Sequence, residues 1–192
     1  MGLVNDFFKK LDCKDKEAQQ LERYDRMLVD LLGWDSAFTL TNSGLKHALI
    51  ANRHLISGAK NEIHIFTPTK EFFHDGIYSG MKEWVPENVQ VNIISTTDEN
   101  DLFMRYGKPP DNVNIVQASR VFLDAVRKRF KCINYFIVVD GKAYRREYDE
   151  SQHVYIMSFN DHSKSKELID LFNLRPIEKS NEMTTFWDKI RL

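Results

Sequence analysis

KCINYFIVVDGKAYRREYDESQHVYIMSFND, Lys131 to Asp161, is the stretch whose reading decides the fold. An almost uninterrupted apolar run from Ile133 to Val139 ends in Asp140-Gly141, a dipeptide that supplies the positive φ angles of a tight hairpin turn. The chain returns as Lys142 to Glu147, breaks at Asp149 to Gln152, and makes a third run from Val154 to Phe159. A strand without polar alternation is buried on both faces, so the first of these three belongs near the centre of a sheet covered by helices on both sides.

Working outward, Asn160-Asp161 closes the third strand, and Asp161 is placed to cap a helix through Phe172 with Leu168, Leu171 and Phe172 inward. Upstream, Ser119 to Phe130 reads as a helix with its basic end at the C-terminus, where the dipole favours cations. Before it, Val113 to Val116 reads as a strand, Gly107 to Asp111 as a turn and Glu99 to Tyr106 as a short helix. Val89, Val91 and Ile93 alternate as a strand, as does Glu62 to Phe66, and the segment between them, Lys70 to Trp84, is helical in tendency although Gly76 and Gly80 weaken it. Ser36 to Leu40 is expected as a short strand, with Thr41-Asn42-Ser43 offering caps for a helix through Ala59. Lys14 to Leu32 gives the clearest helical spacing, through Ala18, Leu21, Tyr24, Leu28 and Leu31, with Gly33 at the expected C-terminal cap. Met1 to Leu11 reads as a short amphipathic piece, and Ser180 to Ile190 as a last helical segment. Strand-helix alternation followed by a hairpin and a further strand predicts an α/β fold: a mixed central sheet with helices on both faces, preceded by an N-terminal helix.

At 192 residues the chain has room for one sizeable core, and 42% hydrophobic with 12% aromatic content excludes a disordered polymer. It contains no apolar run of membrane-spanning length and no signal-peptide pattern, so a soluble cytoplasmic protein is expected. Cys13 and Cys132 stand far apart without companion ligands, so neither a disulfide framework nor a metal site is expected, and no cofactor is called for. The net charge of −1 argues against wholesale attraction to nucleic acid, but its distribution is uneven. Arg127, Lys128, Arg129, Lys131, Arg145 and Arg146 fall within one short interval, which reads either as solvated surface or as a patch for phosphate groups.

In α/β sheets, sites gather where strands end. Thr67, Thr96, Asp140, Ser158 and Asn160 are the polar strand-tip residues this rule selects as ligand-binding candidates. Taken with the hairpin, these residues resemble the phospholipase D superfamily, and the resemblance runs from Trp34 to the C-terminus. The family's hallmark is His-x-Lys, four residues, Asp, and then a downstream Gly-Ser-x-Asn or similar element. Asp140 looks like the family Asp, and Ser158 and Asn160 in Met157-Ser158-Phe159-Asn160 look like the downstream Ser and Asn. The resemblance implies a helical segment at 1–33, a phospholipase D-like domain at 34–192, and a homodimer, since single-motif members complete a cleft by pairing two copies.

Ile133 stands where the family nucleophile His belongs, and Tyr135 where its phosphate-neutralising Lys belongs. The pattern is that of a member of the fold without its hydrolytic apparatus. It is similar in a general way to the ligand-sensing domains of sugar-responsive archaeal regulators of the TrmB type, although the 33 residues ahead of it are too few for their winged helix. The expected function is non-catalytic recognition, through a strand-end cleft, of a phosphate-bearing or sugar-like ligand or of nucleic acid. Two alternatives stand beside it: a phosphodiesterase or nuclease with relocated catalytic groups, built on His162-Ser163-Lys164 and Asp170, and a structural interaction protein using the N-terminal helix.

Overall fold

The computed structural model describes residues 2–33, 35–68, 77–97, 110–130, 135–149 and 154–174. The expected helices at 99–106 and 180–190, the first part of the one at 70–84, and both Lys131 and Ile133 lie outside these residues. The elements are, in order, α1 (Gly2–Gly33), β1 (Leu40–Ser43), α2 (Leu45–Ser57), β2 (Glu62–Thr67), α3 (Ile77–Trp84), β3 (Gln90–Ser95), β4 (Val113–Gln117), α4 (Arg120–Phe130), β5 (Phe136–Val139), β6 (Ala143–Asp149), β7 (Val154–Ser158) and α5 (His162–Phe172).

The strands form one seven-stranded sheet in the order β1-β7-β6-β5-β2-β3-β4. β2, β3 and β4 run parallel, while β5, β6, β7 and β1 each pair antiparallel with their neighbours. β5 is fully buried along its length and occupies the middle of the sheet, as its unbroken apolar run requires. Asp140 and Gly141 take φ angles of 50° and 65°, and Lys142 N–H donates to the Val139 carbonyl at 3.1 Å, the tight turn that an Asp-Gly pair favours.

Alternating side chains supply two cores, one on each side of the sheet. Ile63, Ile65, Val91, Ile93, Ile137 and Met157 meet Leu28 and Leu31 of α1, Leu55 and Ile56 of α2 and Met81 of α3. Phe66, Ile94, Phe136, Val138 and Tyr144 meet Phe122 and Val126 of α4 and Leu168 and Phe172 of α5. α4 is opened by Ser119, whose Oγ accepts from Phe122 N–H at 3.1 Å, and α5 by Asp161, whose carboxylate accepts from Lys164 N–H at 2.9 Å.

Three local expectations are corrected. The N-terminal pieces are one helix, α1, and its stop is made by Asp35 rather than by Gly33. Asp35 adopts φ 49° while its N–H donates to Leu32 O and the Ser36 N–H to Leu31 O, each at 3.1 Å, a Schellman closure in which an aspartate takes the left-handed position. The first strand is Leu40–Ser43 instead of Ser36 to Leu40, because pairing with Val154–Met157 of β7 recruits the polar Thr41-Asn42-Ser43 segment into the sheet edge. The helix after it is consequently entered through Gly44, at φ 87°, with no side-chain cap.

Candidate binding site at the two ends of the sheet

The mixed strand directions sort the polar tips onto opposite ends of the sheet. Lys60 to Glu62, Asp140, Lys142, Ser158 and Asn160 gather at one end, while Thr67, Ser95, Thr96, Tyr135, Glu147 and Tyr155 gather at the other. The five strand steps from Glu62, beside Asp140, to Thr67 separate the two groups by about 17 Å. The five strand-tip candidates therefore do not line one cleft: Asp140, Ser158 and Asn160 share an end, and Thr67 and Thr96 share the opposite one.

At the first end, hydrogen bonds between candidates and neighbouring backbone occupy the polar groups. The Asp140 carboxylate accepts the backbone N–H groups of Lys60 at 2.8 Å, Asn61 at 2.8 Å and Glu62 at 3.0 Å, locking the hairpin onto the α2–β2 turn. Asn160 Nδ2 donates to Asp35 O and Oδ2 at 3.1 and 3.2 Å, and Lys142 Nζ lies 2.7 Å from Asp35 Oδ1. Ser158 is fully buried, and its Oγ accepts from Asn160 N–H at 3.4 Å. These are the contacts of a brace between α1, β2 and β7.

At the opposite end, Thr96 Oγ1 donates to the Pro68 carbonyl at 2.7 Å, and Thr67 is fully buried. Beside them, on the α2 side of the sheet, lies a polar cluster. Glu147 is in register with Tyr155 on β7, and its N–H donates to the Tyr135 carbonyl at 2.9 Å, so Tyr135, Glu147 and Tyr155 form one row across three strands. Arg145 sits one step inward, opposite Ile137 and Met157, and is 1% exposed. Its guanidinium carbon lies 3.6 Å from the centroid of the Tyr155 ring and 5.6 Å from that of Tyr135. Asn52 of α2 roofs the cluster: its Oδ1 accepts from Arg145 Nη1 at 3.3 Å and from the Tyr135 hydroxyl at 3.4 Å. Burial pushes the Tyr135 phenol well above its usual range, against the opposing pull of the Arg145 charge, so it stays a protonated donor.

The basic interval is not one patch. Arg145 is interior and Arg146 lies on the other side of the sheet, 4.4 Å over the Phe130 ring. Arg129 Nε pairs with Glu167 at 2.6 Å, and Arg127 lies 3.4 Å from Asp124. Arg127, Lys128 and Arg129 do share the exposed last turn of α4. Burial raises the pKa of Glu167, but hydrogen bonds from Lys164 and Arg129 outweigh it and hold the carboxyl below its ordinary value. Lys164 is thereby committed to Glu167 at 2.6 Å and Asp170 to Lys166 at 3.1 Å, so His162, Lys164 and Asp170 do not converge. Among the described residues no three histidine, cysteine or carboxylate side chains are arranged to hold a metal ion, and no helix is long and apolar enough to cross a membrane.

Asn52, Glu147 and Tyr155 were not among the site candidates selected from the sequence, and Tyr135 was noted there only as standing in the place of the family Lys. The available signal was strand alternation: Ala143, Arg145 and Glu147 share one face of β6, and in a buried strand that face is interior. Reading its arginines as solvated surface or as a phosphate patch hid it.

No family model matches the chain, and no curated relative matches it in sequence. Among solved structures it is similar to TrmBL2, an archaeal chromatin protein whose structure shows a novel mode of DNA binding, at 12% identity and a TM-score of 0.51, covering 90% of this chain and 66% of that one. The chain thus spans just under two thirds of the length of TrmBL2. It also matches NucT from Helicobacter pylori at 11% identity, covering 71% of this chain and 94% of that one with a TM-score of 0.43. At this level of identity the likeness to TrmBL2 is one of fold.

Proposed function

We propose that this chain is a non-catalytic binding module of phospholipase D-like fold that recognises phosphate groups, with nucleic acid as its partner. The observation that carries the reading is Tyr135. It stands at the position of the family's phosphate-neutralising Lys, buried, protonated and hydrogen-bonded to Asn52, next to a buried Arg145. With isoleucine at the position of the nucleophilic His, there is no group here to attack phosphorus, whereas positive charge for an oxyanion is retained nearby. Asp140, which answers to the family Asp, braces a turn with all three of its backbone hydrogen bonds.

Two further points support nucleic acid. TrmBL2, whose fold the chain shares, binds DNA. The last turn of α4 presents Arg127, Lys128 and Arg129 to solvent at the end of a helix on the side of the sheet opposite α1. Contacts of this kind position a protein on phosphates and do not read bases, so binding is expected without sequence preference. A two-fold dimer belongs to the same reading; α1 carries exposed Met27, Val29 and Leu32 as contact surface.

The test is incubation of the purified protein with bis(p-nitrophenyl) phosphate and with labelled duplex and single-stranded DNA, with and without divalent metal. Retention of intact DNA in a complex with no turnover is expected. Hydrolysis that survives purification and disappears in His162→Ala would overturn the reading.

A further inference from the structure

Arg145 carries a full positive charge at 1% exposure, and its Nη1 donates to Asn52 Oδ1 at 3.3 Å. Its Nε and Nη2 are buried without a hydrogen-bond partner among the described residues. These two nitrogens carry parallel N–H bonds on one edge of the guanidinium, the edge that grips two oxygens of a phosphate or carboxylate at once. Burying that edge without an acceptor is unfavourable, and the Tyr155 ring face offsets the cost only on the plane of the guanidinium, not along its N–H edge. The neighbours fix its direction without filling it: the Tyr155 ring covers one plane at 3.6 Å, Tyr135 stands beside it at 5.6 Å, and Asn52 holds the other end. We infer that the Nε/Nη2 edge of Arg145 is a preformed receptor for a single small oxyanion, a terminal phosphate group, entering at the strand end where Tyr135, Glu147 and Tyr155 form a row.

This deepens the binding reading by naming a second, enclosed phosphate site on the α2 side of the sheet, distinct from the exposed turn of α4. A duplex backbone cannot reach a guanidinium buried between a sheet and a helix, whereas a terminal phosphate can. Tyr155 is half-buried, the most exposed of the residues around the guanidinium, so the route from solvent runs past its ring.

The experiment is a titration of the full chain with inorganic phosphate against sodium chloride at matched ionic strength, read by arginine Nε–H resonances and by thermal unfolding. One arginine Nε–H resonance, absent from the spectrum of Arg145→Lys, should shift saturably with phosphate and not with chloride. The Tm should rise by about 3 °C at saturation, and Arg145→Lys should lose that rise. Simultaneous replacement of Arg127, Lys128 and Arg129 by serine should leave both responses intact while weakening duplex binding, which separates failure of this site from failure of the nucleic-acid reading. This triple variant also keeps the test decisive if Arg145→Lys does not fold. No saturable shift in the wild type, or a shift that the triple variant abolishes, would overturn the inference.

Discussion

Asp140 Oδ1 accepts the backbone N–H of Asn61 at 2.8 Å, across 79 residues of sequence, and so joins the central hairpin to the start of β2, its antiparallel neighbour. Together with the bonds from Lys60 and Glu62 this makes Asp140 a brace at the end of the sheet remote from the Tyr135–Tyr155 row.

Asp140→Ala is expected to destabilise the protein by about 2–4 kcal/mol, from loss of charge-assisted hydrogen bonds and from alanine at a φ of 50°. Asp140→Asn should cost roughly half as much, since an amide oxygen still accepts and asparagine tolerates the left-handed region. Urea midpoints at constant m-value measure both. Equal costs would mean that the carboxylate charge contributes nothing.

Acid should unlatch helix contacts before it unfolds the sheet. Burial raises the pKa of Asp25, but its hydrogen bonds to His54 and Arg53 prevail and lower it, as Lys164 and Arg129 do for Glu167. A folded-state pKa below the unfolded one contributes stability fully present above the unfolded value, about 4 to 4.5, and lost as pH falls through the folded value. The Asp25 pair is partly exposed and holds α1 on α2, so its share is below about 1 kcal/mol. Stability measured from pH 6 to pH 2.5 should fall less steeply in Glu167→Gln than in the wild type. An unchanged slope contradicts the assignment.

Gly80→Ala reverses the usual sign of a glycine replacement in a helix. Alanine ordinarily gains up to about 1 kcal/mol, but a Cβ here would stand 2.5 Å from the Trp84 ring. A net loss of about 1–2 kcal/mol is expected, with a blue-to-red shift of tryptophan fluorescence as the indole is displaced toward water. A stabilised variant with unchanged fluorescence would show that Trp84 does not pack over Gly80.

Self-association has its own test. Sedimentation equilibrium should give a dimer at micromolar concentration, weakened by Met27→Glu with Val29→Glu, two exposed positions on α1. A monomer at all concentrations contradicts the dimer.

Much of the architecture was legible because it rests on local chemistry. The unbroken run Phe136 to Val139 required burial on both faces, Asp140-Gly141 required a tight turn, and Ser119 and Asp161 announced helix starts; each is in place. The failures are places where partners distant in sequence decide. Thr41-Asn42-Ser43 has cap chemistry, but pairing with β7 takes the segment into the sheet. Likewise, whether a strand tip points to one end of the sheet or the other depends on strand direction, which no tip reveals by itself. That is why Thr67 and Thr96 were grouped with residues about 17 Å away. Arg145 was miscounted as surface for a related reason: charge predicts exposure, except where a strand lies between two others beneath a helix.

The most direct test of the central claim is the salt dependence of duplex binding by fluorescence anisotropy. Log K should fall linearly with log salt, equally for unrelated sequences and without strand cleavage; replacing Arg127, Lys128 and Arg129 together should weaken binding and flatten the slope by roughly 2 to 3, while Ser158→Ala with Asn160→Ala leaves it unchanged. Binding insensitive to the triple replacement, or no binding to any duplex at low salt, would contradict the account.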